Sequence, residues 1–192
     1  MSTIISNLGA ETALATRLRL EREARNWTLA DLAARSGISR AMLSKIERGE
    51  ASPTAALLGR LSAAYGLTIS QLFARAEQGG QLARAADQPV WMDPATGFVR
   101  RSLSPPSGAP MELVWGELPP GARIAYPAEG YRFIADHQIV VIDGTLTLHM
   151  ADDVFVLGPG DCLRWGPPRD VTYENTGTEV CRYVVAVLRA NA

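Results

Sequence analysis

Residues 28–49, TLADLAARSGISRAMLSKIERG, constrain the fold of this chain more than any other stretch. Thr28, followed three residues later by Asp31, is an N-terminal capping pattern, and apolar residues then recur at helical spacing. Gly37 predicts the end of this helix, because glycine adopts the left-handed conformation at little cost. Ser39 predicts the N-cap of a second short helix. We therefore expect two short helices joined by a tight turn.

The second helix is expected to bury Met42, Leu43 and Ile46 and to expose a cationic face, which suits insertion into the DNA major groove. Arg40 is the expected base reader, because a guanidinium can bond guanine O6 and N7 together. We expect Glu47 to be structural, pairing with an arginine of the first helix of the chain, Arg17 or Arg19. The predicted DNA-contacting residues are Thr28, Ser39, Arg40, Ala41, Ser44, Lys45 and Arg48.

Residues from about 14 to 73 resemble the helix-turn-helix domain of the Xre, or phage-repressor-like, regulators. The matching positions are Arg17, Arg19, Thr28-Leu29, Leu32-Ala33, Gly37-Ile38-Ser39, residues 43–49 and Pro53. The resemblance implies a five-helix, lambda-repressor-like domain that binds double-stranded DNA. The alternative is a helical bundle that only packs on a second domain, and the number of matches at fixed offsets favours the DNA-binding interpretation.

Composition divides the chain into a helical domain at 11–75, a linker at 76–89 and a second domain at 90–192. Residues 1–78 carry ten Arg and Lys against seven Asp and Glu, a net charge of +3, whereas residues 79–192 carry nine against thirteen, a net charge of −4. The positive balance therefore lies with the predicted DNA-binding helices. We further expect a helix at 11–25, a helix after Ser52 with Pro53 in its first turn, and a short helix at 70–73.

Several protein classes are not favoured by the sequence. No apolar run approaches the roughly 20 residues of a membrane span, and the first residues lack the pattern of a secretory signal. Two cysteines, Cys162 and Cys181, do not form a disulfide framework. We therefore expect a cytoplasmic protein without a membrane partner.

After Pro89 the sequence consists of short apolar or alternating runs separated by turn residues, as in a β-sandwich or barrel. Asp143-Gly144 is a strong hairpin signal. The predicted strands are 98–103, 111–118, 123–126, 137–142, 145–150, 154–157, 162–165, 171–174 and 180–188.

Residues 111–188 resemble a cupin, a small jelly-roll barrel, through the segments 118–122, 140–148, 157–165 and 171–177. The two resemblances together imply a multidomain α plus β protein: a DNA-binding domain followed by a cupin sensor domain, as in many bacterial transcriptional regulators. They also imply a homodimer, paired through the cupin domain, and a small-molecule effector.

The metal-binding positions of cupins are depleted here. The resemblance places the His-x-His pair near Pro127 and Glu129, the glutamate at His137 and the last histidine at Val171. Zinc and iron sites generally need three or four protein ligands, so we expect no metal, no cofactor and no enzymatic activity. We name six candidates for a small-molecule pocket: Arg123, Tyr126, Glu129, His137, Trp165 and Tyr173.

The leading prediction is thus a sequence-specific DNA-binding transcriptional regulator with a metal-free cupin domain that senses a small molecule, dimerises, or does both. Two alternatives stay open. One is a cupin metalloenzyme fused to a DNA-binding domain. The other is a DNA-binding, antitoxin-like protein whose barrel is purely structural. No catalytic residue set is recognisable in the sequence.

Overall fold

The computed structural model describes residues 3–73, 81–105, 109–131, 133–166 and 169–190. Residues 76–80 of the predicted linker therefore lie outside the described part of the chain. The described part begins with helices and continues with strands, in the order that the change in composition predicts.

The helical part contains five helices: α1 (Thr3–Ala24), α2 (Leu29–Ser36), α3 (Arg40–Glu47), α4 (Ala55–Tyr65) and α5 (Ile69–Phe73). They enclose leucines that are almost completely buried, among them Leu18, Leu32, Leu43, Leu58 and Leu61. The start of α4 differs from the prediction, because Thr54 rather than Ser52 is the N-cap and accepts from the backbone N–H of Leu57. Pro53 therefore precedes the cap instead of occupying the first turn.

The strands are β1 (Val90–Met92), β2 (Val99–Ser102), β3 (Met111–Leu118), β4 (Arg123–Tyr126), β5 (Ile134–Asp143), β6 (Leu146–Met150), β7 (Asp153–Leu157), β8 (Cys162–Trp165), β9 (Val171–Glu174) and β10 (Cys181–Arg189). One sheet has the order β1-β2-β3-β10-β5-β8 and the other β4-β9-β6-β7. Every described strand pair is antiparallel. The expected jelly roll is confirmed as two separate sheets, and the three-residue strand β1 was not predicted.

The hairpin expected at Asp143-Gly144 is wrong. Strand β5 pairs with β10 and β8, whereas β6 pairs with β7 and β9, so the turn joins the two sheets. Gly144 has φ +81°, and a Cβ there would lie 2.9 Å from Cα of Cys181. The prediction of a tight turn is therefore confirmed. At this turn, where β10 passes close to Gly144, the chain crosses into the second sheet and does not return along β5 as a hairpin would.

The helical and β parts pack against each other. Helix α4 contacts β4 and the 3₁₀ turn Ala128–Tyr131, and α1 contacts β1. The rings of Phe73 and Trp91 lie 6.3 Å apart, centroid to centroid. A single cluster of buried apolar residues runs through both parts. Across the described residues, no helix is both long enough and apolar enough to cross a bilayer.

Candidate DNA-binding helix and ligand cavity

Side-chain caps and a left-handed glycine define the connection between α2 and α3. Thr28 Oγ1 accepts from the backbone N–H of Asp31 at 3.1 Å, and the Thr28 N–H donates to Asp31 Oδ2 at 2.8 Å. Gly37 ends α2 at φ +66°, and Ser39 Oγ accepts from the N–H of Met42 at 3.3 Å. The predicted caps and turn are therefore confirmed. Each such N-cap contributes about 1 kcal/mol to stability.

Helix α3 buries Leu43 and Ile46 and exposes most of its remaining surface. Met42 is 37% exposed, so its predicted burial is wrong. The contacts of α3 with α1 and α2 cover only a narrow stripe, and the residue before Leu43 lies about 100° around the helix from it. Met42 therefore adds an apolar side chain to the outward face.

The exposed cationic side chains of α3 and its C-cap, Arg48, differ in their hydrogen-bond and ion-pair partners. Arg48 donates to both carboxylate oxygens of Glu50, at 2.6 and 2.7 Å, and also to Ser44 Oγ. Its bond to Glu50 raises the pKa of Arg48. Arg40 and Lys45 make no ion pair with any residue that the structure describes. These two side chains are therefore available to an external anion or base edge.

Glu47 fixes α3 to α1 through Arg22, which corrects the expectation of Arg17 or Arg19. Arg22 Nε and Nη2 donate to the two carboxylate oxygens of Glu47 at 2.8 and 2.7 Å, and Nη1 donates to the carbonyl of Trp27 at 2.9 Å. The bond to Glu47 raises the pKa of Arg22. The other two arginines form i,i+4 pairs within α1 itself. The sequence signal was ambiguous because α1 carries three arginines.

A cavity of about 80 Å³ lies between the two sheets and beneath the α4–α5 turn. On this measure one water needs about 10–15 Å³, so the cavity has room for several waters or a small organic molecule. Its lining comes from both parts of the chain: Gly59, Ser62, Thr68, Ile69, Phe98, Arg100, Glu112, Val114, Tyr126, Phe133, Ile134, His137, Tyr173, Tyr183, Val185 and Val187.

Three of the six residues nominated for a pocket line this cavity: Tyr126, His137 and Tyr173. The other three lie elsewhere. Trp165 stacks on the His137 ring with the ring centroids 4.9 Å apart, Arg123 is exposed beside Glu174, and Glu129 belongs to the 3₁₀ turn. The structure thus brings the aromatic candidates together and leaves the two charged candidates outside.

Sequence reasoning missed the charged residues that do line the cavity. Arg100 is 7% exposed and donates to Ser102 Oγ at 3.0 Å and to Ser70 Oγ at 2.7 Å. Glu112 is 8% exposed and accepts from Thr68 Oγ1 at 2.9 Å. Strand alternation could have found Arg100, because it shares the inward face of β2 with Ser102.

Burial favours the neutral forms of the histidine and the three tyrosines that line the cavity. Burial lowers the pKa of His137 to about 4 and raises that of Tyr126 to about 12. It also raises the pKa values of Tyr173 and Tyr183. At neutral pH the wall therefore presents phenolic hydroxyls and an uncharged imidazole beside the side chains of Arg100 and Glu112.

Among the cavity-lining residues that the structure describes, His137 and Glu112 are the side chains of metal-ligand type. Of the two ligand-type residues at the family's metal positions, His137 lines the cavity and Glu129 does not. Within the described ranges, no three His, Cys, Asp or Glu residues are placed to hold one ion.

The two cysteines lie on strands that are not neighbours. Strand β5 lies between β8, which carries Cys162, and β10, which carries Cys181. Burial raises the pKa of the Cys181 thiol to about 11.

Residues 18–72 match the family model HTH_3, helix-turn-helix. The HTH-type transcriptional regulator SutR of Escherichia coli (strain K12) is 28% identical over 177 residues, 88% of this chain and 91% of that protein. An uncharacterised HTH-type transcriptional regulator of Mycobacterium tuberculosis is 41% identical over 70 residues, 35% of this chain and 27% of that protein.

Two solved structures align with this chain. The crystal structure of an HTH_3 family transcriptional regulator from Vibrio cholerae aligns with a TM-score of 0.77 at 21% identity, over 96% of this chain and 99% of that one. A cupin domain of an XRE family regulator from Enterobacter cloacae aligns with a TM-score of 0.44 at 18% identity, over 49% of this chain and 98% of that one. The first of these likenesses covers both the helical and the β part.

Proposed function

Because residues 18–72 form a helix-turn-helix domain of the HTH_3, or Xre, family, we propose that this chain is a sequence-specific transcriptional regulator that acts as a cytoplasmic homodimer on double-stranded DNA. In this proposal residues 11–75 bind DNA, 76–89 are the linker, and 90–192 dimerise and bind a small-molecule effector. The role is not enzymatic, and it involves no metal. The designation of the relatives as transcriptional regulators supports it.

The observation that carries the proposal is the outward face of α3. Arg40 is its first residue, at the end that enters the major groove in helix-turn-helix complexes. Its free guanidinium suits a guanine edge, and the methyl of Ala41 suits a thymine methyl. Lys45 and the hydroxyl of Ser44 lie one turn further along. Thr28, at the N-terminus of α2, and Arg48 are proposed to contact phosphates, with Arg48 leaving Glu50 to do so.

Selection of binding sites from random DNA with the full chain tests this assignment. Arg40→Ala should relax the preference at one base position per half-site, at a cost of about 1–3 kcal/mol for the cognate base. Lys45→Ala should weaken all sequences about equally and reduce the salt dependence of binding. Arg123→Ala removes an exposed arginine of the β part and serves as control. An unchanged base preference in the Arg40 variant would contradict its role.

Dimerisation is proposed to use the outer face of the six-stranded sheet. Met111 and Leu188 lie opposite each other on β3 and β10, Leu113 follows on the same face, and all three are exposed. Contiguous exposed apolar residues of this kind mark interaction sites. A second copy is the proposed occupant, because specific binding by one small helix-turn-helix domain needs two half-sites related by two-fold symmetry.

Sedimentation of the full chain at micromolar concentration tests the dimer. The native chain should sediment as a dimer, and Leu113→Glu should convert it to a monomer, because the new charge would be desolvated at the interface. Val156→Glu changes an exposed apolar residue on β7 of the other sheet and should leave the dimer intact. A monomeric native chain, or dissociation by the control alone, would refute this surface.

A further inference from the structure

Two hydrogen bonds join the last helix of the helical domain to the six-stranded sheet, at the α4–α5 turn that forms the roof of the cavity. The hydroxyl of Thr68 donates to Glu112 Oε1 of β3 at 2.9 Å. Arg100 Nη2 of β2 donates to Ser70 Oγ at 2.7 Å. Thr68 immediately precedes α5, and Ser70 is its second residue. Two neighbouring strands therefore hold the first turn of one short helix, and we refer to these two bonds as the α5 anchor.

The α5 anchor is shielded from water. Thr68, Arg100 and Glu112 are 5, 7 and 8% exposed. A hydrogen bond is directional, and a buried polar group that loses its partner keeps its full desolvation cost. The ring contact between Phe73 and Trp91 adds apolar area to the same interface, but burial of apolar area is not directional. We therefore expect the α5 anchor, more than the apolar contacts, to determine the angle between the two domains.

The first turn of α5 is fixed within the helical domain as well. Thr68 Oγ1 accepts from the backbone N–H of Gln71 at 3.1 Å, and the Thr68 N–H donates to Gln71 Oε1 at 2.8 Å, which is a capping box. Leu72 is buried in the helical core, and α5 contacts α1 and α4. Helix α1 is in turn bonded to α3 through Arg22 and Glu47. A rotation of α5 on the sheet would therefore carry α3 with it.

Glu112 lies between two residues of the proposed dimer surface. Met111 and Leu113 flank it on β3 and are exposed on the outer face of the sheet, and side chains alternate between the two faces of a strand. Glu112 is paired in register with Val187 of β10, so the strand is held in the sheet at this position. Residues 111–113 thus face the proposed second copy on one side and the helical domain on the other.

We propose that Glu112 and Ser70 are positioning residues, which hold the helix-turn-helix domain at one angle to the dimer surface and so select one spacing between two DNA half-sites. This inference rests on the proposed DNA-binding dimer. Each base pair added between the half-sites moves one of them by about 3.4 Å and turns it by about 34° around the DNA axis. A dimer with fixed domains cannot follow this displacement, whereas a dimer with mobile domains can.

Binding of the full chain to operators whose half-sites are moved apart one base pair at a time tests the inference. The native chain should lose at least about tenfold in affinity when one base pair is added. Ser70→Ala combined with Glu112→Leu removes the α5 anchor but leaves Thr68 as the N-cap of α5. In this double variant the loss should shrink to less than about threefold, because each domain can turn to meet its half-site. Binding at the native spacing should weaken, because preorganisation is lost.

Each substitution has a matched control. Ser102→Ala removes a 3.0 Å bond to the same guanidinium as Ser70→Ala does, but that bond lies within the β domain. Glu112→Gln keeps an oxygen that can accept from Thr68, whereas Glu112→Leu does not. Both controls should retain the native spacing preference within about twofold. Affinity for a single half-site should be equal in all variants, because the domain angle has no effect there. An unchanged spacing preference in the double variant, or equal relaxation by Ser70→Ala and Ser102→Ala, would overturn the inference.

A distance between two spin labels tests the positioning without DNA. Ala34→Cys on α2 and Val156→Cys on β7 place the labels at exposed positions of the two domains. Cys162→Ser removes the exposed native thiol, and Cys181 is fully buried. With an excess of unlabelled chain, double electron–electron resonance reports the distance within one chain.

The distance distribution should be broader in the double variant than in the chain with an intact α5 anchor. An equal width would overturn the positioning role, whether or not the chain binds DNA. A broadened distribution in a chain that is monomeric or binds no DNA would support the role of the α5 anchor and refute the proposed function instead.

Discussion

Removal of either partner of the Arg22–Glu47 pair should destabilise the helical domain strongly, whereas removal of both should not. Both side chains are mostly buried, with 14% and 7% exposed, and two hydrogen bonds join them. Breaking such a pair leaves a buried charge without its partner and costs about 3–5 kcal/mol. We expect Glu47→Leu to lie in this range.

Arg22→Met should cost at least as much, because the guanidinium also donates to the carbonyl of Trp27. That bond contributes about a further 1 kcal/mol. In the double variant the two apolar side chains can pack on each other, and replacement of a buried pair by apolar residues is often close to neutral. The expected loss is then about 1 kcal/mol, well below the sum of the single losses.

Urea unfolding followed by far-ultraviolet circular dichroism gives the free energies of unfolding from which the coupling is calculated. The matched control is Arg19→Met on the same helix, since its 3.8 Å pair with Glu23 is about half exposed. That change should cost less than about 0.5 kcal/mol. If the double loss equals the sum of the single losses, the pair does not hold α3 to α1, and its role in orienting the DNA-facing helix is refuted.

Two further predictions concern the β domain. The free energy of unfolding should fall by up to about 3 kcal/mol as the pH drops from 6.5 to about 4, because the unfolded chain protonates His137 before the folded chain does. Urea titrations at several pH values measure this dependence, and His137→Gln should flatten it. The same pH dependence in the variant and the native chain would contradict the prediction. Gly116→Ala should cost about 1–3 kcal/mol, because its Cβ would lie 2.4 Å from the buried ring of Tyr183; a thermal melting temperature equal to that of the native chain would show that the ring moves freely.

Local signals in the sequence predicted the helix-turn-helix motif well, because each acts over a few residues. As N-caps, Thr28 and Ser39 each require only the backbone N–H of the residue three positions later. Gly37 ends α2 because its own backbone can adopt the left-handed conformation. Pairings between distant elements were not predictable in the same way. Glu47 could meet any of several arginines, and the packing of α1 on α3 selects Arg22.

The β domain shows the same division. Turn residues and alternation placed most strands within a few positions, yet the partner of each strand depends on how the sheets fold over each other. Asp143-Gly144 therefore predicted a turn correctly and a hairpin wrongly. Two of the nominated pocket residues, Glu129 and His137, came from the family pattern of metal ligands, and of these two His137 lines the cavity.

The roof of the cavity explains why its two charged residues escaped notice. Arg100 and Glu112 would be exposed at one end of an isolated β domain, where charged residues need no explanation. They are buried because α4 and α5 cover that end, and Ser70 and Thr68 supply hydroxyl partners from the helical domain. When the two domains are considered separately, such charged residues are predicted to be exposed to solvent. The interface between the two domains is thus the part of the β domain that contacts the helices of the DNA-binding domain directly.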